Sequence, residues 1–157
     1  MRIGHGIDVH RFSADAERPL WLGLVEIPDS VGLAGHSDAD VATHALCDAL
    51  LGAANLGDLG RHFPDTDPDH AGVTSRHLLA ETVRLVTAQG YRVISSDITI
   101  VAERPRLAVF MPRMSHELTL VVGSLVTVKA TTAEGLGALG RAEGIGASAV
   151  ALLEETV

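Results

Sequence analysis

An opening strand that places Gly4, Gly6, Asp8 and His10 at alternate positions constrains this chain more than any other stretch. Successive side chains of a strand point to opposite faces, so Asp8 and His10 project together, while the two glycines let another backbone or a ligand come near. A carboxylate and an imidazole are ordinary zinc ligands, and a third nitrogen leaves one tetrahedral position free for a substrate. His44 is the candidate third ligand. Taken alone, Asp8 also suits a turn cap and His10 a surface histidine. Gly4-His5-Gly6 is not a dinucleotide fingerprint, since no third glycine follows at the required spacing.

A chain of 157 residues is expected to form one domain with a core large enough to need no disulfide or structural metal. The single Cys47 fits a reducing compartment. No signal-peptide succession marks the N-terminus, and charges or glycines interrupt every apolar run, so the expectation is a cytoplasmic protein without membrane contact. The net charge of −8, with no basic cluster, argues against nucleic acid as a partner. Aromatic residues make up only 3% of the chain, so the core depends on small side chains and close backbone approach. Small apolar domains of this kind often complete their burial by oligomerising.

Phe12 to Arg18 is polar and turn-like, and Leu20 to Ile27 reads as a short strand or hairpin arm ended by Pro28-Asp29. Ser37 or Asp38 is placed to cap a helix predicted from about Ala39 to Ala54, with Val41, Ala45, Ala49 and Ala53 on one stripe. His44 has Asp40 and Asp48 four residues to either side. They are available to fix its tautomer if it binds metal, and equally they are ordinary charge neighbours of a surface histidine. Gly57-Asp58-Leu59-Gly60 stops this helix, and the loop from Phe63 to Pro68 carries two prolines and two carboxylates. Thr74 or Ser75 caps a second helix running to about Ala88, with Gly90 as its stop. Tyr91 to Glu103 reads as a strand, and a third helix follows from about Arg106 or Pro112 to Val121. A strand from Leu125 to Ala130 delivers Thr131, Thr132 and Glu134 into the glycine-rich segment Gly135 to Arg141. Ile145 to Leu153 reads as a closing strand, although its alanines also tolerate a helix. The fold class is α+β, a mixed α/β sandwich with one mixed β-sheet covered on one face by helices.

The motifs run in a fixed order. Gly4-His5-Gly6-Ile7-Asp8-Val9-His10 comes first, then His36-Ser37-Asp38-Ala39-Asp40-Val41 with His44, then Phe63-Pro64-Asp65-Thr66-Asp67-Pro68. Lys129-Ala130-Thr131-Thr132, Glu134 and Gly140-Arg141 close the series. Over nearly the whole chain this ordered set resembles the 2-C-methyl-D-erythritol 2,4-cyclodiphosphate synthase family. The resemblance implies a homotrimer with active sites between neighbouring subunits. It also implies a phosphorus-oxygen lyase of non-mevalonate isoprenoid biosynthesis. The substrate, 4-diphosphocytidyl-2-C-methyl-D-erythritol 2-phosphate, is converted by intramolecular phosphoryl transfer into the cyclic diphosphate with release of CMP.

Carried over by motif, the resemblance implies that Asp8, His10 and His44 bind zinc, and that Asp8 and His10 also belong to the substrate-binding set. Glu134 then helps hold a second divalent cation, magnesium or manganese, on the diphosphate. His36 and Thr132 match the positions that stabilise the transition state. Asp58, with Gly60, falls where the family grips the cytidine ribose, and Phe63, Asp65 and Asp67 fall in the loop around the methylerythritol moiety. The segment from Ala102 through Arg106 and Leu107 to Ala108 corresponds to the cytosine site. Ser37, Thr131 and Arg141 complete the implied substrate-binding set, Arg141 near the phosphates or the trimer axis. The resemblance departs at Ala133, Gly135 and Ala138, in the loop around Glu134. A metallophosphoesterase, the other enzyme class that opens on Asp-x-His, needs an Asn-His pair that this sequence lacks. A scaffold with a closed structural metal needs a fourth protein ligand, and the lone cysteine rules out a thiolate-rich site.

Overall fold

Small residues where a helix crosses a strand set the architecture. In the computed structural model, which describes residues 1–64 and 72–156, β1 (Arg2–Arg11) lies beneath α1 (Val41–Ala53). A Cβ atom on Gly4 would sit 1.8 Å from the Ala49 carbonyl oxygen, and one on Gly6 would sit 2.0 Å from that of Ala45. The helix backbone therefore rests on the strand backbone, along the stripe of Ala45, Ala49 and Ala53 that the spacing predicts. Two residues of strand advance about 6.6 Å and four of helix about 6 Å, so the two elements stay in step, running in opposite senses. Gly4 meets Ala49 and Ala53, Gly6 meets Ala45 and Ala49, and the next step brings Asp8 to His44.

The remaining elements are β2 (Pro19–Leu22), β3 (Val25–Val31), α2 (Leu59–His62), α3 (Ser75–Ala88), β4 (Tyr91–Val101), α4 (Met111–Val122), β5 (Val126–Thr131), α5 (Gly137–Gly140) and β6 (Gly144–Glu155). Four strands form a mixed sheet in the order β1-β6-β4-β5, antiparallel except for the β4–β5 pair. By this pairing β1, β4 and β5 all run the same way, so their C-terminal ends share one end of the sheet. The closing segment is a strand, paired along its length with both β1 and β4. β2 and β3 form a separate two-stranded sheet.

Several boundaries differ from the sequence expectation. β3 continues through Pro28 and Asp29 to Val31, because the register shift between Pro19 and Leu20 accommodates a proline that cannot donate to the ladder. The cap of α1 is Asp40, not Ser37 or Asp38. Its buried carboxylate accepts from the Thr43 amide at 3.0 Å and from the Gly23 and Leu24 amides, each at 2.8 Å. The β2–β3 turn is thereby tied to the start of the helix. Gly57 to Gly60 does more than stop α1, since Asp58 caps the short α2 through the Arg61 amide. The glycine-rich segment holds the short α5, and Pro112 sits in the first turn of α4.

Helices cover one face of the four-stranded sheet. Among the described residues the other face carries only Leu139 of α5, over Gly146, and along β1 it is apolar but for His5, with Ile3, Ile7 and Val9 75%, 62% and 59% exposed. The alternation is inverted relative to a one-sided sheet, with glycines inward and aliphatic side chains outward. Among the described residues no helix is long and apolar enough to cross a membrane.

Cys47 lies fully buried in α1, and burial pushes its thiol up to about 12. The unfolded thiol ionises near its ordinary 9.0, so between 9.0 and about 12 the unfolded chain holds fewer protons than the folded one. Stability from this group is whole below 9.0 and is lost as the pH rises towards 12. Denaturant unfolding followed through that window is expected to show a downward slope that Cys47→Ala removes. Alkylation of native Cys47 should proceed no faster than unfolding.

Candidate functional site

Asp8, His10 and His44 each offer one ligand atom, and the three atoms lie within 4.8 Å of one another. Asp8 Oδ2 is 3.1 Å from His10 Nε2 and 3.0 Å from His44 Nδ1. The other carboxylate oxygen accepts from the Val9 amide at 2.9 Å. Burial pushes the Asp8 carboxyl up, but the hydrogen bonds and charges of His10 and His44 outweigh it and hold the group well below the usual carboxylate range. The hydrogen bond to Asp8 raises the His10 imidazole, against a smaller opposing effect of burial.

The ring orientations suit a cation. His10 Nδ1 lies 2.5 Å from the Ala34 carbonyl oxygen, which only accepts, so Nδ1 keeps a proton and Nε2 is the nitrogen left to meet a cation in place of the proton it shares with Asp8. Gly35 makes room for this ring, since a Cβ there would stand 3.2 Å from His10 Cε1. One carboxylate and two imidazoles with an open side match the three-ligand set of a catalytic zinc site, and this is where a metal fits. His44 is buried rather than on the helix surface, and its i±4 neighbours do not orient it. Asp40 is spent on the α1 cap, and Asp48 accepts from the Leu59 amide at 2.7 Å. The partners of His44 Nε2 are Ser75 Oγ at 3.2 Å and Ser37 Oγ at 3.3 Å, contacts across loops that sequence spacing does not reveal.

His36 and Ser37 line an open pocket of about 260 Å³ with Arg18, Trp21, Asp38 and Gly72. The pocket adjoins the triad through Ser37. Asp58 and Gly60 are exposed around α2, and the Phe63 amide bonds back to the Leu59 carbonyl. Asp65 and Asp67 lie outside the described residues.

A second cluster forms at the ends of β4 and β5. The Ala102 amide donates to the Thr131 carbonyl at 3.0 Å, and Thr132 Oγ1 donates to Glu134 Oε1 at 2.7 Å. Glu134 holds a left-handed backbone with φ of 52°. Glu103, which the sequence reading passed over, accepts from the Ala133 and Gly135 amides and so fixes this turn against β4. Leu107 is buried, while Arg106 and Ala108 are exposed. Arg141 is paired with Glu143 at 2.7 Å. Within one chain the two clusters share an end of the sheet but stand on opposite edges, on β1 and β5, three strand spacings or roughly 14 Å apart.

The chain matches the model of the YgbB family over residues 1–154. It is 58% identical over 156 residues to the 2-C-methyl-D-erythritol 2,4-cyclodiphosphate synthase of Azotobacter vinelandii, covering 98% of each chain. It is 53% identical to the one from Syntrophotalea carbinolica, covering 99% of this chain and 95% of that one. A solved 2C-methyl-D-erythritol-2,4-cyclodiphosphate synthase in a CDP-bound form superposes with a TM-score of 0.88 at 38% identity, over 98% of this chain and 100% of that one. The bifunctional IspDF of Campylobacter jejuni superposes with a TM-score of 0.92 at 39% identity, this chain covering 98% of itself and 42% of that protein. Sequence order, site geometry and fold thus converge, and the chain belongs to the YgbB family of 2-C-methyl-D-erythritol 2,4-cyclodiphosphate synthases.

Proposed function

We propose that this chain cyclises 4-diphosphocytidyl-2-C-methyl-D-erythritol 2-phosphate to 2-C-methyl-D-erythritol 2,4-cyclodiphosphate with release of CMP, a phosphorus-oxygen lyase step of isoprenoid precursor biosynthesis. The observation that carries the reading is the convergence of Asp8, His10 and His44 within 4.8 Å in a chain of this family. The nucleophile is a phosphate oxygen of the substrate and is already anionic, so no strong base is required. What the chain supplies is alignment and relief of repulsion as that oxygen meets the β-phosphorus and CMP leaves. Zinc, when bound, supplies a Lewis acid and template for a phosphate oxygen, and a second divalent cation, magnesium or manganese, offsets charge on the diphosphate.

Asp8, His10 and His44 would hold the zinc, and Glu134 would hold the second cation. His36 and Thr132 stabilise charge building on the phosphoryl oxygens, each worth about 3 kcal/mol of barrier. Asp58 and Gly60 receive the ribose, Phe63 faces the methylerythritol moiety, and Ala102 with Arg106 to Ala108 receives cytosine. Ser37, Thr131 and Arg141 complete the binding set. A reducing compartment, the cytoplasm, suits a chain whose Cys47 is a free buried thiol. The test is phosphorus NMR after adding the diphosphocytidyl substrate and magnesium in oxygen-18-labelled water. A ring diphosphate and CMP free of solvent oxygen are expected, whereas solvent label in either product means hydrolysis and overturns the reading.

The working unit is a homotrimer with active sites between subunits. Two features support this: the exposed aliphatic side chains Ile3, Ile7 and Val9 on one face of the sheet, and a metal-binding cluster separated from the Thr132–Glu134 cluster in each chain. A second copy brings the missing half of each site. Val9→Asp, which puts a charge on that face, is expected to yield monomers by sedimentation and to lower turnover about a hundredfold. Zinc binding should survive, because all three ligands lie in one chain. A Val9→Asp protein that remained trimeric and active would remove this face from the interface.

A further inference from the structure

We propose that Ser75, held by Asp38, is the positioning residue that keeps the proton of His44 on Nε2 and so leaves Nδ1 free for the cation. The inference rests on the zinc reading above and deepens it. Ser75 is fully buried in the first turn of α3, 31 residues from His44 in sequence. Its amide donates to Asp38 Oδ2 at 2.8 Å, and its hydroxyl is in a short hydrogen bond with Asp38 Oδ1. A carboxylate oxygen only accepts, so the Ser75 hydroxyl proton is committed to Asp38. The Ser75 oxygen, 3.2 Å from His44 Nε2, is then left with lone pairs alone towards the ring and receives an Nε2–H. Nδ1 lies 3.0 Å from Asp8 Oδ2, which also only accepts, so a proton lies between the two until a cation takes its place; with the single proton of neutral imidazole held on Nε2, Nδ1 then offers that cation its lone pair.

Ser37 cannot set this direction by itself. Its oxygen lies 3.3 Å from Nε2 and already receives the Ala39 amide, and among the described residues no carboxylate takes its hydroxyl proton. Asp38 and Ser75 therefore form a one-way chain from carboxylate to hydroxyl to imidazole. For His44 it does what the Ala34 carbonyl does for His10. Both rings reach the cation with the other nitrogen protonated and held. The sequence places Asp38 and Ser75 only as candidate helix caps, but the cap of α1 is Asp40 and that of α3 is Thr74.

The test compares zinc affinity, by competition with a chromophoric chelator, and nitrogen-15 NMR of the imidazoles in zinc-loaded wild type, Ser75→Ala, Asp38→Asn and Thr74→Ala. Wild type should show His44 protonated at Nε2 in slow exchange with water. Ser75→Ala should weaken zinc roughly 10- to 100-fold and speed that exchange. Asp38→Asn keeps the shape but can turn an amide N–H towards the Ser75 oxygen, freeing the hydroxyl to donate to Nε2. It should weaken zinc at least as much and, with Nδ1 on the metal, speed exchange of the Nε2 proton as Ser75→Ala does. Thr74→Ala removes the α3 cap on the His77 amide without touching His44, so it should lower stability and leave zinc affinity unchanged. Wild-type affinity in both Ser75→Ala and Asp38→Asn, or an equal loss in Thr74→Ala, overturns the proposal while leaving the zinc site standing. A wild-type protein that binds no zinc overturns both.

Discussion

His44→Ala is expected to remain folded, to lose zinc, and to turn over substrate at least roughly a thousandfold more slowly. The fold survives because the start of α1 is fixed elsewhere. Asp40 caps it and anchors the β2–β3 turn, and Ala45, Ala49 and Ala53 pack it on β1. The chemistry does not survive, because removal of the imidazole leaves Asp8 and His10, two donors where a catalytic zinc site needs three. Circular dichroism, metal content and the phosphorus NMR assay on one preparation decide the matter. Turnover near the wild-type rate would remove His44 from the site. Loss of folding together with zinc would mean that the metal is structural, as in the scaffold reading.

The elements around this site differ in how plainly the sequence announces them. β1, α1 and α3 were legible because glycines and apolar residues recur at strand or helix spacing, weakly in β1, and Gly90, at a φ of 84°, marks a helix end that few other residues tolerate. β3 was legible only in part, because Pro28 and Asp29 read as a stop although a bulged two-stranded edge accepts both. α5 is a single turn among glycines and leaves no periodic trace.

In the site itself, residue type and strand alternation were enough to pair Asp8 with His10. The partner of His44 was not legible, since the carboxylates four residues away on the helix were nearer in sequence than the Ser75 hydroxyl that the fold delivers. Glu103 escaped notice for a similar reason. A strand-end carboxylate looks solvated until β5 returns beside it and presents the Ala133 and Gly135 amides. Backbone-mediated and cross-loop contacts carry no signature in spacing.

The second large effect concerns a residue with no side chain. Gly6→Ala is expected to destabilise the protein by about 3 kcal/mol or more and to weaken zinc binding with it, although Gly6 touches no metal. An added Cβ would lie 2.0 Å from the Ala45 carbonyl oxygen, 2.7 Å from the Ala49 nitrogen and 2.9 Å from Asp48 Cβ. Two of these three obstacles are backbone, so no rotamer change relieves them, and α1 must lift from β1. Lifting separates His44, the neighbour of Ala45, from Asp8, two residues beyond Gly6, and their 3.0 Å contact is the one the site depends on. Gly52 supplies the contrast. It lies in the same helix with nothing within 4 Å of a built Cβ, so Gly52→Ala should stabilise the helix by about 0.5–1 kcal/mol. Denaturant midpoints and zinc titrations on the two variants separate close packing from generic glycine chemistry. Equal midpoints in Gly6→Ala and wild type would mean that the helix–strand contact is slack, and the link between packing and metal geometry would fall with it.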